Sequence, residues 1–331
     1  MEKEVYPSVY RRLRSNALVR SLVSPLRLNH KSFILPIFVE ENLKTPRLVE
    51  FMNGVQVQTV ETIHVVIDNA LREGIAKFLL FPVPEHKSEH PVDFSFASSI
   101  IRDLKNQYGD NIWLASDVCL CSYTTHGHCG LMNKEGTKVL NAESVNVLTL
   151  YALELAAAGV DCIAPSDMMD GRIKSIRQAL DIQGNHDTMI MSYSTKFSSQ
   201  WYGPFRDACH SSPKGTALKD RKSYQLSALN SADALNCALR DEMEGADILM
   251  VKPSGLYTDI ISLIKSRVHS PLAAYQVSGE YAAIETMAKI GMVNRQSAHV
   301  EAWAALNRSG ADIIISYAAT EAKKWINDFE Y

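Results

Sequence analysis

Met189-Ile-Met-Ser-Tyr-Ser-Thr-Lys196 and, 56 residues further on from lysine to lysine, Ile248-Leu-Met-Val-Lys252-Pro253 decide how this chain is read. Each is an apolar, β-rich run that ends on a cation. Runs of this kind read as strands of a parallel sheet covered on both faces. The bland interpretation is that each lysine caps its strand and leads its head group into solvent along an apolar stem. If the two strands are neighbours in a barrel, however, two amines enter one pocket. Mutual repulsion and lost solvation then lower both pKa values towards neutrality, and a neutral lysine is a nucleophile for carbonyls.

Working outward, apolar runs recur at 33–39, 77–83, 112–120, 162–166, 188–194, 248–252, 272–277 and 313–317, with helical periodicity between them, as at 144–158, 173–180, 232–244 and 298–307. Alternation of strand and helix predicts an α/β protein with a parallel sheet. Eight such repeats fit a (β/α)8 TIM barrel better than an open doubly wound sheet, and no Gly-rich phosphate fingerprint follows the first strand. The expected organisation is one catalytic barrel, 31–331, preceded by an extended N-terminal arm, 1–30. Segment 41–57 reads either as a small hairpin or as an irregular loop. In such barrels the site lies at the C-terminal strand ends. Asp117 to Cys121, Ser166, Asp167, Lys196, Lys252, Ser278 and Tyr317 should therefore share one rim.

Composition narrows the chemistry. With 46% hydrophobic and 21% charged residues and a formal net charge of -3, the chain has no general attraction for nucleic acid or anionic membrane. No apolar run is long enough to span a bilayer, and the first thirty residues lack the apolar core of a secretory signal. A soluble, cytoplasmic protein acting on a small molecule is expected. Residues 5–39 contain no acid but carry Arg11, Arg12, Arg14, Arg20 and Arg27. That pattern suits a transit peptide or an arm packed on another subunit, and the arm is favoured because the basic stretch runs straight into the first strand.

Three of the six cysteines lie within Asp117-Val-Cys119-Leu-Cys121 and His126-Gly-His128-Cys129, which points to metal rather than disulfides. Three thiolates suit zinc, and three protein ligands leave a position open, as in catalytic sites. His128 as a fourth ligand would close the site, and buried free thiols are the plain alternative. The long polar stretch 198–230 reads as an active-site lid. Its Arg206, Arg221 and Gln225 could clamp a substrate carboxylate, or simply be solvated, each arginine pairing with Asp207 or Asp220. Paired lysines, a thiolate-bound metal and a cationic lid suggest Schiff-base condensation and dehydration of keto acids. A Schiff-base aldolase remains open, as does a catalytically silent zinc-binding barrel.

Taken together, Asp117-Val-Cys-Leu-Cys121, His126-Gly-His-Cys-Gly130, Ala164-Pro-Ser-Asp-Met-Met-Asp-Gly-Arg172, Tyr202-Gly-Pro-Phe-Arg-Asp207, Met250-Val-Lys-Pro253 and Val277-Ser-Gly-Glu-Tyr281 resemble the porphobilinogen synthase (5-aminolevulinate dehydratase) family in its zinc-binding, cysteine-triad form. The resemblance runs from Arg11 to Tyr317. It implies condensation of two 5-aminolevulinate molecules into porphobilinogen, in tetrapyrrole and heme biosynthesis, by a lyase. Lys252 would form the Schiff base with the A-site substrate and Lys196 that with the P-site substrate. Ser278 and Tyr317 would hold the P-site carboxylate, and Arg206, Arg221 and Gln225 the A-site carboxylate. Cys119, Cys121 and Cys129 would bind zinc, and Asp117 would lie near the reacting amine. A homo-octamer embraced by its N-terminal arms is also implied. The family's activating magnesium needs a glutamate where this chain has Cys237, so that ion is not expected here. Ser122 and Ala318 also depart from the usual proline and aromatic residue.

Overall fold

The computed structural model describes residues 10–88 and 92–329. After a 3-10 turn at Tyr10–Arg14 come α1 (Ala17–Val23), β1 (Phe33–Glu40), β2 (Arg47–Leu48), β3 (Gln56–Gln58), α2 (Thr62–Arg72), β4 (Lys77–Val83), α3 (Ser95–Tyr108), β5 (Trp113–Val118), α4 (Asn141–Ala157), β6 (Cys162–Pro165), α5 (Arg172–Ile182) and β7 (Met189–Lys196). Then follow α6 (Gly203–Ala208), α7 (Ser231–Met243), β8 (Ile248–Lys252), α8 (Thr258–Lys265), β9 (Leu272–Tyr275), α9 (Ser278–Lys289), α10 (Arg295–Arg308), β10 (Ile313–Ile315) and α11 (Ala322–Asp328). Strands β1 and β4 to β10 pair in sequence, all parallel, and β10 returns to β1, so the sheet closes into an eight-stranded barrel. All eight expected strands are present.

Closure follows from the sequence patterns. β4, β6, β8 and β9 are buried along nearly their whole length, because barrel interior and helical ring cover both faces. The helices bury one stripe each: Ile63, Ile67 and Ala70 in α2, and Ile173, Ile176 and Leu180 in α5, at the three- and four-residue spacing that a single helical face requires. Asn230 and Asn294 accept the first-turn amides of Asp233 and Ser297, which fixes where α7 and α10 begin. The segment after β1 is a hairpin: β2 pairs antiparallel to β3, and β3 adds parallel to the end of β1.

The lysine-bearing strands have the registration that matters most. Met191 pairs with Ile248 and Ser192 with Leu249, but Thr195 pairs with Val251 and Lys196 with Lys252. β7 thus carries one extra residue between Ser192 and Thr195. Such a bulge re-aims the residues beyond it, and here it brings Lys196 directly opposite Lys252.

The arm is not uniformly extended, since it contains α1, capped by Asn16. No residue from 11 to 32 is buried in this chain, and Leu18 and Leu22, one turn apart, are 83% and 79% exposed. Among the described residues, no helix is long and apolar enough to cross a membrane.

Candidate active site

Lys196 and Lys252 end adjacent parallel strands, about 4.8 Å apart, and in-register neighbours point to the same face. Both are buried, at 5% and 3% exposure. Lys252 Nζ lies among aromatic rings, 4.0 Å from the Tyr275 centroid, 4.8 Å from Phe205 and 5.0 Å from Tyr193. Burial, with Lys196 beside it, pulls the Lys252 amine down to about 7, and Asp117 acts in the opposite sense. The ring faces also favour its charged form. Lys196 Nζ donates to the Ser166 carbonyl. The rim expected from sequence therefore exists where β6, β7 and β8 end.

Asp117, near the end of β5, faces both lysines. Burial raises its carboxyl to about 6, while Lys196, a hydrogen bond from Ser166 and Lys252 pull it back. Its Oδ1 is sealed from solvent without a hydrogen-bond partner. Its charge and those of the two amines therefore act on one another. Asp167 turns out to be committed elsewhere. Fully buried, it accepts the Met169 amide at 2.7 Å and faces Arg172 Nε at 3.5 Å, in a network that continues from Arg172 to Asp241 at 3.2 Å.

Cys119, Cys121 and Cys129 are buried, and their sulfur atoms all lie within 4.8 Å of one another. Hydrogen bonds from Cys119 and Cys121 hold the Cys129 thiol well below its ordinary value, whereas burial drives Cys119 well above its own. This soft, compact donor set fits a zinc ion, whose bonds to sulfur are about 2.3 Å. His128 has both ring nitrogens engaged by the lid: Nδ1 with Tyr224 Oη at 3.1 Å, and Nε2 with Thr216 Oγ1 and the Leu218 carbonyl, each at 3.2 Å. Tyr224 Oη in turn receives the Cys129 amide at 3.3 Å. His128 ties the lid to the cysteine loop.

Cys237 lies on α7, beside Arg240. Burial raises its thiol, and the neighbouring Arg240 spends its guanidinium on Asp170 at 2.5 Å and Asp241 at 2.9 Å. A protonated thiol beside a cation is a poor partner for a hard divalent ion.

The lid residues carry unused hydrogen-bonding capacity. Arg221 donates through Nη2 to the Ser211 and Gly127 carbonyls at 2.6 and 2.9 Å, but its Nε is buried without a partner. The same holds for Arg206 Nε and for both amide atoms of Gln225. Buried groups of this kind are normally satisfied, so three side chains with orphaned atoms on one lid suggest a polar ligand. Burial opposes the Arg221 charge, yet Cys129 and the other thiols outweigh it and raise its pKa. Arg206 is lowered by burial and by Arg221. Across the site, Ser278 Oγ receives the Phe205 amide at 3.1 Å, and Tyr317 Oη shares a hydrogen bond with Tyr275 at 3.1 Å.

Sequence reading missed the aromatic cage of Phe81, Tyr193, Tyr202, Phe205 and Tyr275, although Tyr275 ends its strand, where it could have been noticed. Nothing local marked Tyr224, whose partners His128 and Cys129 lie far away in sequence.

A family model described as delta-aminolevulinic acid dehydratase matches residues 8–325. The delta-aminolevulinic acid dehydratase of Helicobacter pylori is 43% identical over 316 residues, covering 94% of this chain and 96% of that protein. Its Escherichia coli counterpart is 40% identical over 314 residues, covering 94% and 95%. Among solved structures, the Toxoplasma gondii delta-aminolevulinic acid dehydratase in complex with the reaction product porphobilinogen superposes with a TM-score of 0.92. That pair is 36% identical, and the match covers 99% of this chain and 93% of that one.

Proposed function

This chain belongs to the delta-aminolevulinic acid dehydratase family, and on that premise we propose that Lys252 and Lys196 are the amines through which it works. The activity is that of a lyase: two 5-aminolevulinate molecules condense to porphobilinogen with loss of two waters, the pyrrole-forming step of tetrapyrrole and heme biosynthesis. The observation that carries the reading is the in-register placement of Lys196 beside Lys252, with Asp117 facing both. Neutral Lys252 attacks the ketone of the A-site substrate, Lys196 that of the P-site substrate, and each imine expels one water. An imine acidifies the neighbouring carbon, so that carbon gives up a proton and bonds to the partner's imine carbon. The bond joins the A-site carbon to the P-site imine carbon and leaves Lys196 there as an amine, which is expelled when the attacking carbon loses a second proton and a C=C forms. The P-site substrate's own amine then adds to the Lys252-bound carbon and displaces Lys252. Loss of a ring proton completes the pyrrole, and Asp117 carries protons between the nitrogens. Both lysines end as free amines.

Arg206, Arg221 and Gln225 hold the A-site carboxylate through their unpartnered atoms, and Ser278 and Tyr317 hold the other. Cys119, Cys121 and Cys129 would hold zinc, which when bound supplies a Lewis acid for a substrate oxygen. No step uses magnesium at Cys237. The arm, 1–30, is read as an oligomerisation element of a homo-octamer, supported by the uncovered Leu18 and Leu22, and 31–331 as the catalytic barrel.

The test is pyrrole formation from 5-aminolevulinate by the purified chain, with and without chelator, then with zinc or magnesium alone. Loss to chelator and recovery with zinc only is expected. Activity indifferent to chelation would remove the metal assignment and keep the enzyme. Absence of pyrrole in every condition would overturn the reading.

A further inference from the structure

Glu280 has no part in the chemistry above, yet two segments of the active site meet at its carboxylate and a third packs beside it. It is the third residue of α9, which opens on Ser278. Its Oε2 accepts the Val277 amide at 2.7 Å, capping that helix. Its Oε1 accepts the Gly255 amide at 2.6 Å, in the loop that leaves Lys252 at the end of β8. The amides of Ser254 and Leu256 are directed at the same carboxylate. Helix capping alone needs only a short polar side chain at the preceding position, so the reach to Gly255 is an additional contact.

The fit around this carboxylate is close. A Cβ on Gly255 would lie 2.8 Å from Glu280 Oε1, and a Cβ on Gly279 would lie 2.6 Å from the Trp201 carbonyl. The base of the lid therefore rests directly on the start of α9. Ser278 Oγ receives the Phe205 amide there, and Tyr202 Oη donates to the Lys252 carbonyl at 3.0 Å. Trp201, Leu256, Ile284 and Leu306 form an apolar wall beside Glu280, and among the described residues it makes no ion pair. Burial raises its carboxyl to about 7, against the pull of the backbone amides.

We propose that Glu280 is a positioning residue for the condensation, a single carboxylate that fastens the Lys252 exit loop to the Ser278 end of α9. It thereby holds the amine that engages one substrate at a set distance from the hydroxyl that anchors the other. The inference rests on the reading of Lys252 and Ser278 given under Proposed function.

The experiment compares the full chain with E280Q, G255A and the double variant, under the metal condition that gives turnover. It reads kcat, KM, Tm, and borohydride trapping of imines at Lys252 and Lys196 by peptide mass mapping. G255A leaves Glu280 in place but pushes a methyl group into Oε1, so it breaks the same contact from the other side. Each single variant is expected to lose about 10- to 100-fold in kcat/KM, the scale on which small misplacements act. KM should rise as kcat falls, Lys252 trapping should drop, and Lys196 trapping should persist. A smaller folded fraction would lower kcat alone. The double variant should be no worse than the poorer single, because both remove one interaction. Wild-type kinetics in E280Q, losses that multiply in the double variant, or equal loss of both adducts would overturn the proposal. If E280Q does not fold, G255A alone decides between these outcomes. A wild-type chain that gives no Lys252 adduct would instead refute the Schiff-base reading on which the clamp depends.

Discussion

Lys252, proposed above as a reacting amine, also burdens the fold, and the two effects can be separated by pH. With its amine lowered from 10.5 to about 7, the free enzyme should lose kcat/KM as pH falls through about 7, since protonation removes the nucleophile. For stability, the unfolded chain binds this proton up to its ordinary value and the folded chain only up to about 7. Stability from this group therefore rises with pH between about 7 and 10.5, and the penalty is present in full below 7. K252M should abolish turnover and raise Tm at pH 7 by about 2–5 °C, a gain that shrinks as pH approaches 10.5. Kinetics and thermal melts across that range check both halves. Arg172 behaves in the opposite way: R172M strands Asp167 in the interior and leaves Asp241 only Arg240 and Ser192, and it should cost about 3–5 kcal/mol, read by urea unfolding.

At the scale of elements, the lid is seated by close backbone approaches. Gly127, in the cysteine loop, has φ +71°, and a Cβ there would meet the Ser212 carbonyl of the lid at 2.6 Å. Neither the dihedral nor the space suits alanine. G127A should lift the lid, raise KM for 5-aminolevulinate about tenfold or more and speed proteolysis between 205 and 225. Unchanged KM with an unchanged cleavage pattern would show that the lid does not depend on this contact. The lid was legible as a long polar insertion, but its fastenings were not. His128 meets Thr216, Leu218 and Tyr224 from roughly ninety residues away, and no local pattern encodes such a pairing. In sequence His128 stands open as a fourth metal ligand, and in the structure its ring nitrogens meet the 198–230 stretch.

For the whole molecule, the arm makes the testable difference between barrel and assembly. Deleting residues 1–30 should reduce the mass measured by light scattering while leaving the barrel's far-ultraviolet spectrum in place, since no residue from 11 to 32 is buried in its own chain. An unchanged mass would remove the arm from the interface. Eight strands, the rim they share, a lysine at the end of each of two strands and three closely spaced cysteines were determined by sequence alone, because apolar period, chain order and residue type are local properties that survive without coordinates. The motifs around them carry the family resemblance, and the family model and the relatives show the membership. Only the tertiary structure decided that a bulge in β7 turns Lys196 to face Lys252, that five aromatic rings surround that amine, and that Asp167 is given to Arg172 instead of the substrate. Registration, burial and pairing are settled by which distant segments close around a group, and desolvation by those segments is what sets its charge.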